Sequence, residues 1–223
     1  IKDTFSSLDV LINNVGALFS KREETSEGFE KTFALNHLSS FALTLNLLDL
    51  LKQSPSARIV NVASDAHFNI VDKDKDIKRS FIESIFFKTD FDINDLQCKN
   101  NYKGGQQYSK TKLMNILFTY KLARDYLSET NITANCLHPG FVASKFGHNN
   151  GGIIKAFLKF GQKLQAISVI DGAISSTHLA LSSELEGVSG KYFDEYGKEK
   201  ESLQLSYDTN LQDSLWEQSK ILI

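Results

Sequence analysis

Two hydrophobic regimes alternate along the chain: short apolar runs with few polar interruptions, and longer stretches in which apolar residues return every three or four positions. Leu8-Asp9-Val10-Leu11-Ile12 belongs to the first regime. Asn13, Asn14 and Gly16 close it, so it predicts a strand buried on both faces that ends in a turn. Between residues 26 and 50, Phe29, Phe33, Leu38, Phe41, Leu45 and Leu48 recur at helical spacing and predict a long helix with Ser26 as its cap. Residues 58–63 and 132–137 are further buried-strand candidates, the second closed by His138-Pro139-Gly140. Residues 106–127 between them carry a helical pattern, 153–164 are amphipathic, 171–185 read as a helix, and Lys191-Tyr192-Phe193 predicts a short last strand. Strand and helix in alternation imply right-handed βαβ units. The expected fold is therefore α/β: a doubly wound, Rossmann-like parallel sheet with helices on both faces, in a single domain over residues 1–223.

Two features interrupt this pattern. Residues 65–105 hold a charged cluster (72–78) and an apolar patch (81–87) without steady periodicity, and are expected to be an insertion or lid. At the front, a doubly wound nucleotide fold normally opens with a glycine-rich turn between its first strand and helix. That turn is missing, which leads us to expect an N-terminally incomplete chain. The glycine cluster at residues 147–152 follows the His-Pro-Gly segment, lacks a strand-turn-helix setting, and reads as a loop.

Composition narrows the function classes. With 223 residues, 41% hydrophobic and 23% charged, and a formal net charge of -2, the chain has no global attraction for nucleic acid, and none is expected as a partner. Cys98 and Cys136 make no disulfide framework, so a reducing compartment is expected, the cytoplasm or the cytosolic face of a membrane. The five histidines are dispersed, and no metal is expected. Lys155, Lys159 and Lys163 lie four apart, as on an ordinary solvated stripe, though a peripheral membrane contact by an interfacial helix would use the same pattern.

The chemistry centres on Tyr108-Ser109-Lys110-Thr111-Lys112, where helical spacing puts a phenol and an ammonium on one face. A nearby positive charge favours the phenolate and is expected to lower the phenol's pKa, fitting Tyr108 to give a proton to a carbonyl oxygen or take one from an alcohol. Ser64 follows strand 58–63 at the sheet edge where such folds place ligands, as a hydroxyl for the same oxygen or as a plain turn residue. Gly16 permits close approach of backbone to a cofactor, or simply ends a strand. Asn36 within the following helix holds a water or a kink, or is an ordinary helical Asn. Residues 138–144 end the third strand at the same edge.

The segments L-D-V-L-I-N-N-V-G (8 to 16), F-A-L-N-H-L-S-S-F (33 to 41), R-I-V-N-V-A-S-D-A-H (58 to 67), Y-S-K-T-K-L-M-N-I-L-F (108 to 118), L-H-P-G-F-V (137 to 142) and S-G-K-Y-F (189 to 193) together resemble the short-chain dehydrogenase/reductase family, in its retinol-dehydrogenase-like and WW-domain-oxidoreductase-like branch. The resemblance implies an NAD(P)-dependent oxidoreductase with Asn36, Ser64, Tyr108 and Lys112 as catalytic tetrad. It places Asn14, Val15 and Gly16 at the adenosine side of the cofactor, and Tyr108, Lys112, Pro139, Gly140 and Val142 at its nicotinamide-ribose side. It implies NADP or NAD, with NADP favoured, a small alcohol or carbonyl substrate, and a homodimer. Phe141, Phe146, Ile153, Ile154, Phe157, Leu158 and Phe160, where the family covers its substrate, point to an apolar one, retinoid-, steroid- or lipid-like. Departures are Val15 for alanine, Ala63 for a first serine, Ser144 for threonine, and the missing T-G-x-x-x-G-x-G turn. Two other classes share parts of this pattern: a catalytically silent scaffold without the pyrophosphate turn, and an isomerase or epimerase acting on a nucleotide sugar.

Overall fold

The computed structural model describes residues 1–71, 87–142 and 167–223. Strands β1 (Val10–Asn13), β2 (Ala57–Val62), β3 (Ile132–Leu137) and β4 (Tyr192–Phe193) form one sheet in the order β1-β2-β3-β4, every neighbouring pair parallel. Parallel neighbours require crossovers, and helices supply them on both faces.

Alternation along the strands decides what each face carries. Leu11, Ala57, Ile59, Ile132 and Ala134 point to one face. There they meet α2 (Ser39–Leu51) through Phe41, Leu47, Leu50 and Leu51, and α3 (Gly104–Lys121) through Phe118. Val60, Val62, Leu137 and Phe193 point the other way, against Leu179 and Ala180 of α5 (Ile174–Leu181). Polar residues of the first face are joined to one another: Asn13 Nδ2 donates to Thr44 Oγ1 at 2.9 Å and to Asn61 Oδ1 at 2.7 Å, and Asn61 Nδ2 to Thr119 Oγ1 at 2.9 Å. The doubly wound Rossmann-like expectation is met, with strand limits within two residues of those expected.

The first helix departs from its expected start. Its cap is Glu30, whose carboxylate accepts from Thr32 N and Phe33 N, both at 2.8 Å. Ser26 lies in the preceding turn, where Phe29 O accepts from Thr25 N at 2.8 Å. The helix runs as α1 (Lys31–Phe33), a π-helical turn (Ala34–Leu38) and α2. Single π turns inside α-helices concentrate at functional sites, and this one contains Asn36. The expected helix over 171–185 is broken into α4 (Val169–Gly172), α5 and a 3₁₀ turn (Ser183–Leu185). A last helix, α6 (Thr209–Ile221), is capped by Asp208, which accepts from Leu211 N at 3.1 Å. Its Trp216 packs edge-on to Phe41 with ring centroids 5.0 Å apart, closing the first core behind α3.

The flanks of the irregular stretch are built into this body. Ile70 and Leu96 are core residues beside Phe33, Leu113 and Met114, and Ile70 bridges Thr89. The charged cluster at 72–78 lies outside the described residues. So do most of the apolar patch at 81–87, Ser144, Phe146, the glycine cluster at 147–152 and the amphipathic segment with its three lysines. No helix among the described residues is long and apolar enough to cross a membrane.

Candidate active site

The C-terminal ends of β1, β2 and β3 lie side by side, and the N-terminal half of α3 runs against them. Gly104 makes that approach feasible: a Cβ there would sit 2.2 Å from Phe19 O and 2.9 Å from Ser20 Cα, so only glycine lets the helix start touch the loop after β1. One turn farther on, Tyr108 is hydrogen-bonded to Ser64, the residue that leaves β2. A turn after that, Lys112 is buried and its Nζ donates to Val62 O at 2.9 Å.

Asn36 enters from the π turn and is fully buried. Its Oδ1 accepts from Ala17 N at 2.8 Å, while Nδ2 donates to Ala17 O at 2.9 Å and to Thr111 Oγ1 at 3.0 Å. The loop after β1 is thereby clamped onto α3. Gly16 sits between these groups: a Cβ on it would lie 3.2 Å from Lys112 Nζ and 3.4 Å from Asn36 Oδ1. Thus Gly16, Asn36, Ser64, Tyr108 and Lys112 converge, whereas Asn14 and Val15 lie exposed at the rim. Pro139, Gly140 and Val142 follow β3 and are connected to this group through His138, whose Nε2 is 3.4 Å from Asp65 Oδ1, beside Ser64.

Electrostatics corrects one expectation. The Tyr108 pKa is not lowered; protein packed around the hydroxyl pushes it up to about 12, against a smaller opposite pull from Ser64. The Lys112 ammonium lies over the Tyr108 ring, 5.5 Å from its centroid. Burial in turn brings Lys112 down to about 8, because water no longer solvates its charge. At neutral pH the pair is a protonated phenol beside a charged ammonium.

Positions that the spacing of residues did not single out complete the frame. His67 is fully buried; its Nε2 accepts from Leu203 N at 3.1 Å, so Nδ1 carries the proton and donates to Ser64 O at 2.7 Å, fixing the turn that presents Ser64. Thr111 accepts from Asn36 and donates to Tyr108 O at 2.8 Å. Each bonds a site residue three positions away and is itself held by a partner far off in sequence, Leu203 for His67 and Asn36 for Thr111, which no local pattern reveals.

The matched family model is that of the short chain dehydrogenases, over residues 1–73. Human retinol dehydrogenase 14 is 37% identical over 218 residues, 97% of this chain and 59% of that protein. Human polyprenol dehydrogenase is 34% identical over 95% of this chain and 60% of its own length. The chain belongs to the short-chain dehydrogenase/reductase family. Within that family it is retinol-dehydrogenase-like, and it spans about three fifths of the length of these curated relatives. Solved structures share its fold. A protein from Mycobacterium Paratuberculosis covers 99% of the chain with a TM-score of 0.62 at 24% identity, the chain covering 68% of it. The NADPH-bound carbonyl reductase from chicken fatty liver covers 88% at 0.53 and 20% identity, the chain covering 67% of it.

Proposed function

We propose that this chain carries the catalytic residues of an NAD(P)-dependent oxidoreductase that interconverts an alcohol and a carbonyl on a small apolar substrate. One observation carries the reading: a buried ammonium with donors to spare stands beside a protonated phenol that is already hydrogen-bonded to a serine hydroxyl. An ammonium has three N–H donors. Among the described residues Val62 O takes one, at 2.9 Å. The remaining donors suit the vicinal hydroxyls of a ribose, and Gly16, with no Cβ, leaves the space in front of Lys112 open. The residues therefore fit a dinucleotide. Asn14, Val15 and Gly16 would border its adenosine side, and Pro139, Gly140 and Val142 its nicotinamide side. NADP is favoured over NAD by the family resemblance and by the NADPH-bound carbonyl reductase among the structural neighbours.

NAD(P) supplies or accepts the hydride when bound; the chain's own residues handle the proton. In reduction the Tyr108 hydroxyl, held protonated by burial, donates its proton to the carbonyl oxygen. The Ser64 hydroxyl hydrogen-bonds the same oxygen. Lys112, charged below about pH 8, lowers the cost of the phenolate left behind. Asn36 keeps the loop after β1 against α3, so that Gly16 and Lys112 hold their spacing. Apolar alcohols and aldehydes are the substrate class favoured by the likeness to retinol and polyprenol dehydrogenases.

The test uses the full-length protein. NADPH and NADH are titrated by fluorescence, and turnover is followed with retinaldehyde and long-chain aldehydes. Tyr108→Phe is expected to bind dinucleotide as the parent does while turnover falls about 10²- to 10⁴-fold, the usual worth of a general acid. Equal turnover in the variant removes Tyr108 from the mechanism. Absence of dinucleotide binding in the parent leaves the four residues as a structural relic and puts a scaffold in the enzyme's place.

A further inference from the structure

The ends of β2, β3 and β4 meet at a charged group that the proton chemistry above does not use. His138 closes β3 and is buried. Its Nδ1 accepts from Gly140 N at 3.3 Å, which requires an unprotonated Nδ1 and puts the single ring proton on Nε2. Nε2 faces Asp65 Oδ1 at 3.4 Å, from the turn after β2, and Glu195 Oε2 at 3.3 Å, from the loop after β4. The Lys200 ammonium stands 3.5 Å from Nε2 and 3.0 Å from Asp65 Oδ2, and the Tyr192 hydroxyl donates to Asp65 Oδ1 at 2.9 Å. Tyr192 also covers the imidazole, with ring centroids 5.8 Å apart.

Gly140 has little freedom to adjust. Its φ is +71°, and even a Cβ would meet Glu195 Cβ and Ile167 Cδ1 at 3.3 Å each. Its N–H direction is therefore fixed, and the acceptor that meets it is His138 Nδ1. We infer that His138 is a positioning residue: its neutral imidazole holds the Gly140 N–H, and with it the cofactor-facing backbone of residues 139–142, and a second ring proton releases that backbone and weakens dinucleotide binding in acid. The inference rests on the dinucleotide reading above.

The charged surroundings balance so that the clasp is closed at neutral pH. Burial and the Lys200 charge push the imidazole below its ordinary value, and Asp65, Glu195 and Asp194 pull it up, with the lowering ahead. The imidazolium has a proton on both nitrogens, so Nδ1 then turns an N–H toward the Gly140 N–H.

The experiment is calorimetric titration of NADP⁺ into the full-length protein, from about pH 8 down to about pH 5.5, with the parent, His138→Asn and His138→Leu. Asparagine can accept an N–H two residues on, as in an Asx turn, and does not titrate. The parent's Kd is expected to rise more across this range than that of His138→Asn, by up to about fivefold, the worth of one ordinary hydrogen bond. Comparing the two proteins cancels the titration of the dinucleotide's own phosphates. His138→Leu is expected to bind about fivefold more weakly than His138→Asn at the alkaline end. Identical pH profiles of parent and His138→Asn overturn the inference while leaving dinucleotide binding intact. Failure of every protein to bind at any pH overturns the inference together with the function it rests on.

Discussion

The Lys112 ammonium lies over the Tyr108 ring, 5.5 Å from its centroid, while its nearest hydrogen-bond acceptor is Val62 O at 2.9 Å. The lysine thus spends one donor on the end of β2 and stands beside the face of the phenol ring. Burial raises the phenol and lowers the ammonium, so each neutral form is favoured by the same cause. The useful state at pH 7 is Tyr108 protonated and Lys112 charged.

That state has an alkaline limit. Carbonyl reduction is expected to hold steady below about pH 8 and to fall as Lys112 loses its proton above that value, well before Tyr108 titrates near 12. A profile of kcat/KM for reduction at saturating NADPH checks it. A rate that stays level to about pH 10 would separate the Lys112 charge from catalysis.

Asn36→Ala removes three hydrogen bonds at once, one buried and two part-buried, and leaves Ala17 N, Ala17 O and Thr111 Oγ1 short of a partner. Buried groups left unpaired cost about 1–3 kcal/mol each before relaxation, so a loss of about 3 kcal/mol in stability is expected. Urea unfolding measures it. Dinucleotide affinity should fall in parallel, because the loop carrying Gly16 loses its clamp. A change under about 0.5 kcal/mol, the range of a neutral surface substitution, would show that the clamp is redundant.

Gly104→Ala is a steric test of how α3 is seated. The added methyl would be 2.2 Å from the Phe19 carbonyl oxygen and 2.9 Å from Ser20 Cα, both backbone atoms that cannot rotate aside. Although alanine is the better helix former by about 1 kcal/mol, overpacking against backbone is expected to cost about 3 kcal/mol, so the net effect is destabilising. A stabilised variant in thermal unfolding would mean that the helix start and the loop after β1 do not touch.

His37 sets an acid limit on the fold. Fully buried with Ser219 Oγ at 2.9 Å from Nε2, it is pushed by desolvation from an ordinary 6.5 to about 4. The unfolded chain binds this proton more readily than the folded one, so stability is full above about pH 6.5 and is lost as pH falls toward 4. The loss from this group is of the order of 3 kcal/mol. Unfolding curves at neutral and acid pH should show it, and His37→Gln should flatten the dependence; an equally steep curve in that variant would assign the acid sensitivity to other groups.

Residues 57–62 and 132–137 were legible because a strand buried on both faces is largely apolar; 10–13 was legible from its apolar run, but it is buried on one face only, with Ile12 42% exposed on the other. The Tyr108–Lys112 pair was legible for a similar reason: helical spacing alone puts two residues four apart on one side. The start of the first helix was misplaced because Ser26 and Glu30 are both competent caps, and the choice between them is made by distant groups. Gln107 Nε2 donates to the Glu30 carboxylate at 2.9 Å, and Gln97 Oε1 accepts from Glu30 N at 3.0 Å. Helix α6 had a readable signal in Asp208 followed by Leu211, Leu215 and Trp216, but a short amphipathic stretch at a chain end is persuasive only once the surface it covers is known.

By itself, the sequence determined the alternation of strand and helix, the parallel sheet and the placing of Tyr108 and Lys112 on one side of a helix, since these follow from local patterning and covalent geometry. Tertiary structure alone decided that Gly104 must lack a side chain, that His67 pins Ser64, and that Tyr108 is raised rather than lowered in pKa. Those outcomes depend on which backbone and which charges stand within a few ångströms after folding, and desolvation and steric contact are properties of that arrangement that no spacing along the chain encodes.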